Sequence, residues 1–208
     1  MDINEKIEYL KALAYRYYPA GMWDGDPAYE QSEETKLLRQ TQTTQIDLIQ
    51  SKWNALVHDL INHTESFNVE IADWGRALSI DQCFKLILIA NDTAQLREDR
   101  VWLVLNLSFL IPYFVIHQAR GTADSKIEDD GSFQTGSFGI PEEAIEIHSF
   151  LLDLLKIYFP DYSELDMEIG SFPLDNLMFD GRGNVAKHTS EDAKRINIYN
   201  AFFTCISL

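Results

Sequence analysis

The residues best suited to do chemistry are histidines and carboxylates in the first third of the chain. His58 and His63 stand five positions apart with Asp59 between them, and Asp24 and Asp26 flank a glycine. Such groups can bind a metal ion or move protons, so a metal-assisted hydrolase with a site around Asp24, Asp26, His58 and His63 is one hypothesis. A metal site usually needs about three or four convergent ligands, however, and histidines near a helix end more often belong to a solvated terminus.

Sequence motifs that signal catalysis are absent from the chain. It contains no glycine-rich dinucleotide fingerprint, no phosphate-binding Walker loop, no Gly-x-Ser-x-Gly and no Cys-x-x-Cys. His148 lies on the apolar face of a predicted helix, where a core histidine bonded to a carbonyl is the simpler interpretation. The turn at 180–184 has Arg182 where a calcium loop would carry Asp or Asn. We therefore predict no catalytic residue, no cofactor and no metal ligand.

These polar groups must be positioned by a core, and the most apolar stretch is 83–118. Within it, 101–116 carries no charge but includes Asn106, Ser108 and Pro112. A membrane span needs about 20 apolar residues, so this shorter, polar-interrupted segment favours buried strands over a transmembrane helix.

Alternation along this stretch predicts strands. Leu103 and its i+2 neighbours form one face of a strand over 101–109, and Pro112 predicts a break before a second strand at 113–117. Segment 84–90 is apolar on both faces and favours another central strand, although a helix is also compatible with so short a run. Segment 67–75 alternates apolar and polar residues and is predicted to be a strand as well.

Helical periodicity is clearest at the N-terminus. It predicts a helix over 3–18 and a second, long helix that starts after an N-cap at Ser32 and ends near 62–64. The polar segment 40–45 contains three threonines, so a kink or an interruption is expected there. Pro141 opens a third helix.

The remaining segments complete a predicted α+β domain. Residues 119–139 have the composition of a long loop, and 195–207 can be helix or strand, with a final strand favoured by the alternation in 196–200. Two helices, then strands, then a helix and further strands predict one domain over 1–208. Its mainly antiparallel central sheet would have about four to six strands, covered by three main helices, two of them N-terminal.

The charge of the chain is strongly negative and uneven. The formal net charge is −16, and 127–180 contains thirteen acidic residues against one base, Lys156. Such a field repels phosphate backbones, which argues against nucleic-acid binding, and it attracts basic proteins. Solubility alone is the competing explanation for so acidic a composition.

Aromatic residues accompany a second acidic patch near the start of the long helix. Trp23 and Tyr29 lie in a segment rich in turn formers, and their rings either pack on the core or serve as contact anchors. The residues that we predict to bind a partner are Trp23, Asp24, Asp26, Tyr29, Glu30, Glu128, Asp129 and Asp130.

The cysteines and the N-terminus bear on the compartment. Cys83 and Cys205 both lie in apolar segments, which suggests buried thiols in a reducing compartment, with a disulfide between them left open. The first residues are polar and acidic, without the basic and apolar regions of a signal peptide. We expect a cytoplasmic protein with no membrane attachment.

Three segments together resemble a known class of proteins. They are the end of the first helix at 15–22, the acidic entry to the long helix at 26–32, and the aromatic segment 198–203. In general character they are similar to the immunity proteins of bacterial polymorphic-toxin systems, small cytoplasmic proteins that bind and block a toxin domain. The resemblance implies no catalysis, a cognate toxin as partner, a basic nuclease for example, and an interface of acidic and aromatic side chains. A non-catalytic structural or adaptor module is the third hypothesis.

Overall fold

The computed structural model of the chain describes residues 2–22, 26–67, 69–75, 82–90, 100–121, 145–177 and 196–203. Helices and strands alternate in groups along these ranges. In chain order they are α1 (Ile3–Tyr17), α2 (Pro27–Gln31), α3 (Glu33–Phe67), β1 (Val69–Gly75), β2 (Cys83–Ala90), β3 (Arg100–Ser108), β4 (Tyr113–Gly121), α4 (Ile145–Tyr158), β5 (Ser163–Glu164), α5 (Met167–Gly170) and α6 (Ile198–Phe202).

Helix α1 begins at a reciprocal capping box. The Asp2 carboxylate accepts from the Glu5 N–H at 2.8 Å, while the Glu5 carboxylate accepts from the Asp2 N–H at 3.0 Å. Its buried residues, Ile7, Leu10 and Ala14 among them, follow helical spacing. The helix predicted over 3–18 is confirmed.

Helix α3 is 35 residues long and continuous through 40–45. Its N-cap is the predicted one, because the Ser32 hydroxyl accepts from the Thr35 N–H at 3.1 Å. The hydroxyls of Thr43 and Thr44 each donate, at 3.0 Å, to the carbonyl four residues earlier. The threonines are thus accommodated within the helix, and the interruption considered there does not occur.

The strands form one sheet of order β1-β2-β3-β4-β5. Neighbours from β1 to β4 are antiparallel, whereas β5 runs parallel to β4, so the sheet is mixed rather than purely antiparallel. The α+β class is confirmed, and 84–90 belongs to a strand. The predicted break at Pro112 is also confirmed: β3 ends at Ser108, whose hydroxyl accepts from the N–H groups of Leu110 and Ile111.

One face of the sheet forms the main hydrophobic core with the helices. Leu10 of α1, Trp53 of α3 and Leu151 of α4 belong to the same buried cluster as Leu105 of β3. The ring of Trp53 stacks on that of Phe84 in β2, with centroids 5.2 Å apart. A smaller cluster on the opposite face is centred on Ile87 and Val104.

The C-terminal segment is helical where a strand was favoured. Helix α6 begins at Asn197, whose side chain accepts from the Asn200 N–H at 2.8 Å, while the Asn200 side chain accepts from the Asn197 N–H. This capping box stabilises a helical turn although 196–200 alternate in hydrophobicity. All five α6 residues are buried, so the alternation did not mark an exposed face.

Several predicted features fall on residues that the structure does not describe. They are most of the loop 119–139, the helix start at Pro141, the turn at 180–184 and Cys205; residues 119–121 belong to β4. Among the described helices, none combines the length and the apolar character needed to cross a membrane.

Candidate functional site

An acidic surface runs along 145–177. Its carboxylates are all exposed, while the only lysine or arginine in this range, Lys156, forms an ion pair with Asp153 at 2.9 Å. Seven acids against one base leave a formal charge of −6. The seven are Glu146, Asp153, Asp161, Glu164, Asp166, Glu168 and Asp175. We call this set the acidic surface.

The fold of this segment explains why the acids point outward. Apolar side chains of the same segment are buried, Leu165, Ile169 and Leu174 among them, and they hold the backbone against the core. The acids occupy the positions between these anchors. Asp166 also has a local role, because its carboxylate accepts from the Glu168 N–H at 2.8 Å and caps α5.

Two carboxylates of the acidic surface affect each other. Partial burial raises the pKa of Glu164, and the nearby negative charge of Asp166 raises it further. The negative form of Glu164 is therefore less favourable in the protein than in a free glutamate side chain. A cation placed near both groups would relieve the repulsion between them.

The described acidic side chains of the predicted patch near α2 are bonded to other groups of the protein. Asp26 caps α2 by accepting from the Ala28 N–H at 2.8 Å, and Glu30 forms an ion pair with Arg39 of α3. Tyr29 is only 6% exposed, so its ring packs into the protein rather than standing out as an anchor. Trp23, Asp24, Glu128, Asp129 and Asp130 lie outside the described residues.

The hydrolase hypothesis required Asp26 and the two histidines to converge. Asp26 is the N-cap of α2, the short helix that directly precedes α3. His58 and His63 lie near the opposite end of α3. The helical segment from 33 to 58 spans about 37 Å at a rise of about 1.5 Å per residue. These three side chains therefore do not form one site. Within the described part of the chain, no group of three or more His, Cys, Asp and Glu side chains is arranged to hold a metal ion.

The histidine end of α3 instead contacts α4. The Tyr158 hydroxyl donates to the Asp59 carboxylate, and this hydrogen bond is the main reason why the pKa of Asp59 is lowered. His63 Nδ1 lies 2.8 Å from the Asp59 carbonyl oxygen, and its ring contacts Phe150 with centroids 4.8 Å apart. These contacts join the two helices.

A buried polar cluster, which the sequence prediction did not identify, lies on the face of the sheet opposite to that of Leu105. Asn106 of β3 is fully buried, accepts from the Cys83 thiol at 3.6 Å and donates to the Tyr199 hydroxyl of α6 at 3.0 Å. His117 Nδ1 lies 3.5 Å from the Asn106 amide nitrogen. Lys85 pairs with Asn106 in the ladder. The available signal was the presence of Lys85, Asn106 and Ser108 in otherwise apolar strands.

The cluster contains a cysteine and a histidine, the residue types of a nucleophile and its base. Their positions on the strands do not suit that chemistry. Cys83 is on β2 and His117 is on β4, with Asn106 on β3 between them. Strands two apart are separated by about 10 Å, whereas a nucleophile and its base must be within hydrogen-bonding reach. Burial, with a smaller contribution from Lys85, lowers the pKa of His117 to about 4. The described part of the cluster therefore acts as a packing network.

This network fixes α6 to the sheet. The Ser108 hydroxyl donates to the Phe202 carbonyl at 2.8 Å, and the Gln82 N–H donates to the Phe203 carbonyl at 3.0 Å. From the helical side, the Tyr18 hydroxyl donates to the Ala201 carbonyl at 2.6 Å. Backbone carbonyls at the end of α6 are thus satisfied by three separate elements.

Comparison of the chain with models of protein families, with curated proteins and with solved structures finds no match.

Proposed function

We propose that this chain is an immunity protein, a non-catalytic binding protein that neutralises a cognate toxin domain. The observation that carries the proposal is the acidic surface, where seven exposed carboxylates face solvent with one paired base among them. The resemblance of segments 15–22, 26–32 and 198–203 to immunity proteins supports the same interpretation.

The charge determines the kind of partner. A surface with a net negative charge accelerates the capture of a basic protein and disfavours nucleic acid. Toxin domains that act on nucleic acids carry basic surfaces for the phosphate backbone, so a nuclease toxin would present complementary charge. An immunity protein that covered such a surface would block access to the substrate without any chemistry of its own.

The internal chemistry of the chain is compatible with this role. Asn106, Cys83 and Tyr199 serve packing, and Asp59 with Tyr158 joins two helices. The Asn106 cluster and the Asp59–Tyr158 hydrogen bond thus both stabilise the fold. We place the protein in the cytoplasm, where the producing cell would need protection.

The proposal predicts that a toxin domain is encoded beside the gene of this chain, and the experiment that tests the proposal uses that domain. The purified chain is mixed with that domain, and complex formation and toxin activity are measured as the ratio of the two proteins is raised. We expect a stable complex and full inhibition near equal amounts. Absence of both binding and protection would contradict the proposal.

A charge-reversal variant tests the predicted contact residues outside the described ranges. Replacing Glu128, Asp129 and Asp130 with lysine should slow toxin association and weaken its dependence on salt. An unchanged association rate would place that acidic run outside the interface.

A further inference from the structure

Strand β1 forms one edge of the sheet. It pairs with β2, and no other strand among the described residues pairs with its outer side. The register is regular from Val69 to Asp73 and shifts between Asp73 and Gly75. About five residues, or about 17 Å of backbone, therefore form a straight edge whose outward N–H and C=O groups can pair with an added strand.

The usual protection of an edge strand is limited here. Natural proteins block such edges with lysine, proline, bulges or very short strands. Strand β1 has seven residues and contains neither lysine nor proline, and its irregularity is confined to the end at Gly75. By contrast, the opposite edge strand, β5, has only two residues.

The charges of β1 select what can pair with it. Glu70 and Asp73 are exposed and are the only charged residues of the strand. The Asp73 carboxylate accepts from the Gly75 N–H at 2.8 Å and from the Trp53 indole N–H at 3.1 Å, so Glu70 is the charge that we assign to a partner. A second copy of the chain would bring no basic side chain to this edge, because β1 contains neither lysine nor arginine. A strand with lysine or arginine opposite Glu70 would instead form an opposite-charge pair.

We propose that the outer edge of β1 is the docking site for an extended basic segment of the partner, which adds to the sheet as a further strand. This inference rests on the proposed function, because it takes the basic partner from there, and it specifies where and how that partner binds. Main-chain hydrogen bonds would supply the affinity, while Glu70 would supply the preference for basic side chains.

The test uses peptides and the intact chain. The probe is an eight-residue peptide of alternating lysine and threonine, and the control peptide carries proline at its centre, which keeps the charge but disrupts strand pairing. Peptide binding is followed by NMR through the backbone amides of 69–75 and through their hydrogen exchange. We expect exchange to slow at every second residue of β1, because successive amides of a strand point to opposite sides.

Matched variants separate the edge from general charge attraction. Glu70→Lys should weaken binding of the lysine–threonine peptide about fivefold to tenfold, because a favourable cross-strand pair becomes a like-charge pair. Asp47→Lys makes the same change of charge at an exposed position on α3 and should have a much smaller effect. The proline-containing peptide should not slow exchange in β1.

The outcomes distinguish this inference from the proposed function. Binding of both peptides without protection of β1, or equal losses in the two variants, would overturn the edge as the docking site and leave the proposed function intact. Absence of peptide binding would also overturn it, whatever the toxin domain does. Alternating protection of β1 with no binding of the toxin domain would support the edge and contradict the immunity role.

Discussion

At the scale of single residues, the buried side chain of Asn106 makes polar contacts with side chains of three other elements, Cys83 of β2, His117 of β4 and Tyr199 of α6. Its amide oxygen accepts from Cys83 and its amide nitrogen donates to Tyr199. The sequence showed a polar residue within an apolar strand but could not show its partners, which lie on β2 and α6. Pairing across the sheet depends on register, and register is a property of the folded chain.

Replacing Asn106 with alanine should destabilise the protein by about 2 kcal/mol, because the buried Tyr199 hydroxyl and Cys83 thiol lose a partner. Chemical denaturation of the purified variant measures this loss. Asn54→Ala is the control, since Asn54 is exposed and its side chain accepts from Gln50 of the same helix at 2.8 Å, and it should change stability by less than about 0.5 kcal/mol. Equal effects in the two variants would contradict the role given to Asn106.

The pKa of His117 makes stability depend on pH. In the folded protein it is lowered from 6.5 to about 4, so the unfolded chain binds more protons between these values. The contribution of His117 to the free energy of unfolding is therefore present above pH 6.5, and it is lost as the pH falls towards about 4. Partial burial lowers the pKa of His148 and adds in the same direction.

Denaturation between about pH 7 and about pH 5 should therefore show a loss of about 2 kcal/mol attributable to His117. His117→Gln should lose less stability than the unmodified protein across this range, because glutamine does not titrate. If the two proteins lose equal amounts, the imidazole is not the source of the pH dependence.

At the scale of elements, periodicity and capping were enough to predict most of the fold. Helices α1 and α3 follow the 3.6-residue pattern because each has one face on the core, whereas the long apolar runs of β2 and β3 reflect strands that are buried on both faces. The exception is α6, where alternation suggested a strand. Its capping box and its complete burial outweigh that pattern, and neither is evident from hydrophobicity alone.

Helix α6 depends on hydrogen bonds from other elements, which leads to a prediction for Tyr18. Tyr18→Phe removes the donor to the Ala201 carbonyl and should cost about 1 to 2 kcal/mol of stability. Tyr9→Phe is the matched control, because Tyr9 is 48% exposed, and it should be nearly neutral. Thermal or chemical unfolding compares them, and a neutral Tyr18→Phe would show that this bond does not anchor α6.

At the scale of the whole molecule, the negative charge seen in the sequence corresponds to acidic side chains on the surface of the fold. The seven carboxylates of 145–177 face outward, as their number against one base suggested. The candidate site was less predictable at α2, because the sequence could not show that Tyr29 is buried or that Glu30 pairs with Arg39. Both facts depend on how α2 packs against α3.

The most direct test of the central claim is the association rate of the chain with its cognate toxin domain, which the proposal predicts to be encoded beside its gene, measured at increasing salt. We predict a rate that falls steeply as salt rises. Glu168→Lys, on the acidic surface, should slow association about threefold at low salt, and Asp47→Lys, with the same change of charge on α3, should slow it less. An association rate that is insensitive to salt and equal in all three proteins would contradict capture through the acidic surface.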